Sequence, residues 1–240
     1  MKKLLLTITS SFCLALASYG FSVYSENFDS YANDSTLQAA GYIFGKSVYA
    51  GPNSGNNVAA TVGGWFPNDP GIQPSVAVVD GAAKTWTDFG WAPDFDNGQA
   101  QRSLYYYNIT LTQEMLDAGS FDYSLDYQIG DAHDGTAASN GAFMKVLDVD
   151  AGWSEIAYSQ VTYDVNASGW TSAASSISLS GSGAAVGDLL QFGLWNESSN
   201  YTGNGVFTDN ISVSAVPEPS TYALLAGFAA FLFVAIRRRK

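Results

Sequence analysis

Phe121-Asp122-Tyr123-Ser124-Leu125-Asp126-Tyr127-Gln128-Ile129 alternates apolar and polar residues along its whole length, the period of two that sends successive side chains to opposite faces of a β-strand. One face is therefore buried and the other meets water. Upstream, Ser103-Leu104-Tyr105-Tyr106-Tyr107-Asn108-Ile109-Thr110-Leu111 is a second strand, rich in aromatic and β-branched residues. Further strands are expected over residues 22–28, 47–50, 57–62, 75–79, 142–149, 155–165, 176–179, 189–195 and 207–215. Clusters such as Gly51-Pro52-Asn53-Ser54-Gly55-Asn56 supply the turns between them. The helical signal is Thr112-Gln113-Glu114-Met115-Leu116-Asp117-Ala118-Gly119, in which Thr112 can cap and Gly119 can stop a turn or two. Many short strands with no βαβ rhythm predict an all-β fold, a two-sheet antiparallel sandwich.

The two ends of the chain have a different character. Met1-Lys2-Lys3 is a charged start, residues 4–16 are apolar, and Ala15-Leu16-Ala17 offers an A-x-A cleavage site. Residues 1–17 are therefore a secretory signal peptide, expected as an N-terminal helix. Cys13, the sole cysteine, lies inside it, so the mature protein has no disulfide and no thiolate chemistry. At the other end an apolar run over 221–236 precedes Arg237, Arg238, Arg239 and Lys240. Its sixteen residues fall short of the roughly 20 that cross a hydrocarbon core of about 30 Å. Snorkelling of the arginines and local thinning allow it to span as a C-terminal transmembrane helix. The four cations then stop transfer and stay cytoplasmic, which leaves Pro219 and everything before it outside. Pro217 and Pro219 are expected to forbid regular pairing and to form an extended spacer.

Between these ends, residues 18–215 form the secreted domain. Six of the ten Lys and Arg belong to the terminal segments, so Lys46, Lys84, Arg102 and Lys145 face twenty-one acids and the domain carries −17. Such a surface excludes nucleic acid, whose phosphates demand Lys and Arg. Catalytic sets are thin. His133 is the one histidine, in the polar turn Gly130-Asp131-Ala132-His133-Asp134-Gly135, and no Gly-x-Ser-x-Gly elbow or phosphate-binding glycine loop occurs. A glycosidase needs two carboxylates about 5 to 9.5 Å apart. Glu26, Glu114, Glu155 and Glu197 are scattered, and pairs such as Asp122/Asp126 and Asp148/Asp150 suit a solvated strand face. Aromatic rings are the other recognition chemistry, since sugars stack on them. Trp86 and Trp91, in a segment that also holds Phe89 and Phe95, are the candidate ligand-binding residues.

Two resemblances add to this reading. Val216-Pro217-Glu218-Pro219-Ser220, followed at once by a short apolar span and a basic cluster, resembles the PEP-CTERM sorting signal. The resemblance implies that residues 216–240 are read by an exosortase, a membrane-embedded cysteine transpeptidase. Cleavage near Pro217-Glu218-Pro219 and delivery from the inner membrane to the cell surface or extracellular matrix follow. Second, Tyr24-Ser25-Glu26-Asn27-Phe28-Asp29-Ser30-Tyr31 and Phe207-Thr208-Asp209-Asn210-Ile211-Ser212-Val213 resemble the first and last strands of concanavalin-like and carbohydrate-binding-module jelly rolls. That resemblance implies side-by-side terminal strands, with Glu26 and Asp209 as candidate ligands of a structural Ca²⁺. The expectation is a non-catalytic exported protein with polysaccharide or matrix as partner. The alternative is a polysaccharide-active glycosidase or lyase on the same jelly roll.

Overall fold

The computed structural model describes residues 20–32, 37, 39–49, 76–87, 100–130, 139–199 and 204–217, and in the tail residues 227, 230, 234, 236 and 237. Among the described residues these elements have defined bounds: β1 (Phe21–Glu26), β2 (Ile43–Tyr49), β3 (Val76–Val79), β4 (Ala82–Thr87), β5 (Ala100–Thr110), α1 (Gln113–Ala118), β6 (Gly119–Gly130), β7 (Ser139–Asp148), β8 (Ser154–Thr162), β9 (Thr171–Ser178), β10 (Leu189–Ser199) and β11 (Asn204–Pro217). Every strand pairing is antiparallel. One sheet runs β3-β4-β11-β6-β9 with β1 also on β11, and the other runs β2-β5-β10-β7-β8. The expected two-sheet jelly-roll sandwich is the fold.

The alternation in β6 is what joins the layers. Phe121, Tyr123, Leu125 and Tyr127 are buried, whereas Asp122 and Ser124 are exposed. From the other sheet, Tyr105 of β5, Ala142, Met144 and Val146 of β7, and Leu190, Phe192 and Leu194 of β10 complete the core. Each fully buried side chain of this size is worth about 1.5–3 kcal/mol. Tyr123 Oη reaches across the layers to donate to the Gly193 carbonyl at 3.4 Å, so even the buried hydroxyl finds an acceptor.

α1 forms as its sequence demands. Thr112 Oγ1 accepts from the Met115 amide at 3.3 Å, and Gly119 ends the helix at φ 83°, the left-handed cap that glycine adopts without steric cost. β4 departs from expectation. The segment around Trp86, expected from residue 84 onward as an aromatic ligand-binding stretch, begins instead inside a strand, 82–87, that lies between β3 and β11. The sign was Asp80-Gly81, whose φ values of 51° and 78° make the tight hairpin turn between β3 and β4.

β11 is the spine of its sheet. One edge pairs with β6; the other pairs with β4 over Asn204–Thr208 and with β1 over Ile211–Ala215. The exchange falls where Asn210, at φ 50°, bulges the strand between Asp209 and Ser212. The terminal strands therefore lie side by side, as the resemblance implied. Against the spacer expectation, β11 continues through Val216 to Pro217, opposite Ser120 and Gly119. A proline is tolerated there because the strand ends at it and no further ladder donor is required. The strand expected at 57–62 and the leader 1–17 lie outside the described residues. In the tail, Gly227, Ala230, Val234, Ile236 and Arg237 are helical. Among the described residues no helix is long and apolar enough to cross a membrane.

Candidate functional site

The outer face of the second sheet carries the constellation best suited to a ligand. Along β10, Leu190, Phe192 and Leu194 enter the main core, so Gln191, Trp195 and Glu197 project from the opposite face. There Trp195 packs with Leu104 of β5 and Phe143 of β7 in a separate buried cluster, bordered by half-buried Tyr106 and Tyr158. The neighbouring glycines make room for it. A Cβ on Gly141 would lie 2.1 Å from the Trp195 ring, and one on Gly193 would lie 2.6 Å from Cβ of Tyr106. Among the described residues the buried indole Nε1–H of Trp195 has no acceptor.

Polar groups surround this apolar floor. At one end Arg102 and Glu197, opposite each other in the β5–β10 ladder, form a fully buried ion pair. Arg102 Nε and Nη2 both donate to Glu197 Oε2, at 3.2 and 2.6 Å, and the guanidinium stands 5.8 Å from the Trp195 ring. Gln191 Nε2 donates to Asn108 Oδ1 at 2.9 Å, and Tyr158 Oη donates to Gln160 Oε1 at 2.5 Å. Lys145 Nζ lies 5.7 Å from the Phe143 ring. Burial pushes its ammonium below the usual lysine range, partly opposed by Glu155, and burial raises the Tyr106 phenol. The accessible groups of this face are the half-buried Tyr106 and Tyr158 rings with Asn108, Lys145 and the exposed Gln160, which can stack on and hydrogen-bond a sugar chain; Trp195, Arg102 and Glu197 are the fully buried floor that holds them.

The sequence did not single out this face. Its members come from β5, β7, β8 and β10, up to 95 residues apart for the bonded pair Arg102 and Glu197. The available signal was the alternation of β5, which sends Tyr106 to the face opposite Tyr105. Of the tryptophans that were singled out, Trp86 is in β4 opposite Gly205; Trp91, the Trp86 side chain and His133 lie outside the described residues.

Glu26 and Asp209 are brought close, though not opposite each other. Glu26 pairs with Ile211, and Asp209 faces Asp126. Glu26 Oε1 accepts the Asn27 and Phe28 amides at 3.0 Å, and Oε2 accepts from Tyr31 Oη at 2.7 Å. Partial burial raises the Asp209 carboxyl above its ordinary range. The Asn210 amide, donating at 2.7 Å, pulls it back, and repulsion from Asp29, Asp126 and Glu26 adds to the rise. Among the described residues no three His, Cys, Asp or Glu side chains converge closely enough to cage a metal. A Ca²⁺ here would take Glu26 and Asp209 and complete its six to eight oxygens from backbone and water.

Residues 215–240 match the PEP-CTERM protein-sorting motif, placing Pro217, Glu218, Pro219 and the basic end 237–240 within it. No curated protein matches the chain. Among solved structures, the CBM22-1 xylan-binding domain of Xyn10C from Paenibacillus barcinonensis is similar at 11% identity and a TM-score of 0.40, over 84% of this chain and 99% of that one. The family 11 carbohydrate-binding module of a Clostridium thermocellum cellulosomal cellulase shows 11% identity and 0.38, over 84% and 98%. An arabinose-bound α-L-arabinofuranosidase shows 10% identity and 0.44, over 81% of this chain but only 26% of its own. Likeness at this level bears on neither ligand nor activity.

Proposed function

We propose that this is an exported, non-catalytic surface or matrix protein whose tail is read by an exosortase in passage through the inner membrane. Its sandwich holds a polysaccharide on the outer face of β2-β5-β10-β7-β8. The observation that carries the reading is the half-buried ring pair Tyr106 and Tyr158, set on the buried floor of Leu104, Phe143 and Trp195 on a sheet face outside the main core. The carboxylates of that face support binding over catalysis, because Glu197 is joined to Arg102 and Glu155 acts on Lys145. Retardation of the protein in gels containing neutral polysaccharides is the test. Tyr106→Ala and Tyr158→Ala should each weaken retention about 5- to 30-fold, the loss of about 1–2 kcal/mol of ring contact. New reducing ends or unsaturated products would favour the polysaccharide-active enzyme instead.

A structural Ca²⁺ between Glu26 and Asp209 is the second proposal, supported by the repulsion gathered on Asp209. A carboxyl whose folded pKa is raised costs stability above that pKa and recovers it as pH falls through it. In EDTA near neutral pH, Asp209→Asn should therefore unfold at a slightly higher temperature than wild type, and the difference should shrink on acidification. In millimolar CaCl₂ the order should reverse. Binding to the folded form alone adds about 2.7 kcal/mol at a hundredfold excess over Kd, and only wild type gains it. An unfolding temperature of wild type indifferent to Ca²⁺ would remove the site.

A further inference from the structure

The folded body and the sorting tail meet without a spacer. Pro217 still sits in β11 opposite Gly119, and Ser120 Oγ donates to the Val216 carbonyl at 2.6 Å. Between Pro217 and the apolar run at Thr221 stand Glu218, Pro219 and Ser220, about 10 Å of fully extended chain. While that run is in a bilayer, the end of the sandwich bearing Pro217 is held at the bilayer surface.

Strand register identifies what else lies at that end. Gly119 begins β6 just after α1; Thr110 faces Leu189, which faces Leu147; Ser178 faces Ser120; and Phe21 faces Ala215. The β7–β8 turn, the β9–β10 loop, α1 and the start of β1 therefore close the same end as Pro217. Two of these segments expose large apolar side chains: Trp153 is 57% exposed, Val149 36% and Val186 58%. They are held in place. The buried Asp188 carboxylate accepts the Val149 amide at 3.3 Å with one oxygen and the Ala185 amide at 2.8 Å with the other, tying turn to loop. Trp153, at φ 70°, donates its amide to the Asp148 carbonyl at 2.8 Å.

Resting on the sorting-tail reading, we propose that this end is a lipid-contacting surface, with Trp153, Val149 and Val186 seated in the headgroup interface while the tail spans the membrane. Indole rings favour that zone because one part is apolar and the N–H stays wet. The short tether supplies a high effective concentration, so a contact too weak to recruit a free domain suffices. Exposed Glu114, Asp117 and Asp150 at the same end fit zwitterionic headgroups and repel an anionic leaflet.

The full chain, reconstituted in phosphatidylcholine vesicles with bromine low on the acyl chain or without it, tests this through tryptophan emission. Wild type should lose emission in brominated vesicles, and Trp153→Phe should remove most of that loss. A Gly-Ser linker of about twenty residues between Val216 and Pro217 should remove it too, since it frees the body from the surface. Added phosphatidylglycerol should reduce the quenching. Quenching unchanged in Trp153→Phe or in the linker variant overturns the lipid surface alone. Failure of the full chain to enter vesicles overturns the tail reading and this proposal with it.

Discussion

Glu197→Ala should destabilise the domain by about 3–5 kcal/mol, because it removes the carboxylate that is ion-paired with the buried Arg102 guanidinium. Both side chains are 0% exposed, and Glu197 Oε2 accepts two of the guanidinium N–H groups. A domain of this size holds about 5–15 kcal/mol in all, and each kcal/mol moves its midpoint by about 2–4 °C. A fall of about 6–20 °C is expected, read by thermal or denaturant unfolding. Replacing the pair together, Arg102→Met with Glu197→Leu, should recover most of the loss, since two apolar side chains spare the desolvation that a buried ion pair incurs. That recovery would show that the pair serves the shape and chemistry of the face more than stability. A single-variant loss no larger than an exposed substitution gives, within about 0.5 kcal/mol, would mean that water reaches the guanidinium.

The sequence shows this fold wherever a local pattern coincides with a tertiary one. β6 alternates because its two faces have different surroundings, and α1 starts at Thr112 and stops at Gly119 for reasons contained in eight residues. The pairing of β1 with β11 was carried by resemblance and holds in the ladder from Phe21 to Glu26. β4 is hidden in the sequence because its aromatic and charged residues resemble a ligand-binding segment, while its hairpin signal, Asp80-Gly81, lies just outside that stretch. The outer-face cluster was not legible, since Trp195 and Glu197 alternate with core residues of their own strand and only sheet order sets them beside Leu104 and Phe143. Pro217 misled for a sharper reason. Proline forbids an interior ladder position, but the rule is silent about the last residue of a strand.

That last residue governs the remaining prediction. An enzyme that cuts near Pro217-Glu218-Pro219 needs the chain on both sides of the bond extended and unpaired, whereas here the upstream side is a central strand. Ala215 is fully buried, so peeling beyond it would open the core; only Val216 and Pro217, both half-buried, can leave the sheet at low cost. Ser120→Cys with Val216→Cys should lock that end shut. The two positions are directly opposed in the β6–β11 ladder, where Cα atoms stand about 4.5–5.5 Å apart, within the range a disulfide accepts. An exported compartment favours the bond, and the chain's sole cysteine, Cys13, falls in the segment expected to be removed as a leader, so that it would offer no competing partner. Under oxidising conditions the double variant should accumulate uncleaved, and reductant should restore processing, while each single variant is processed as wild type is. Glu218→Ala supplies the contrast: it changes the motif and leaves the ladder intact, so its uncleaved form should persist whether or not reductant is present. Processing of the oxidised double variant at the wild-type rate would place recognition wholly beyond Pro217 and leave the strand end no part in it.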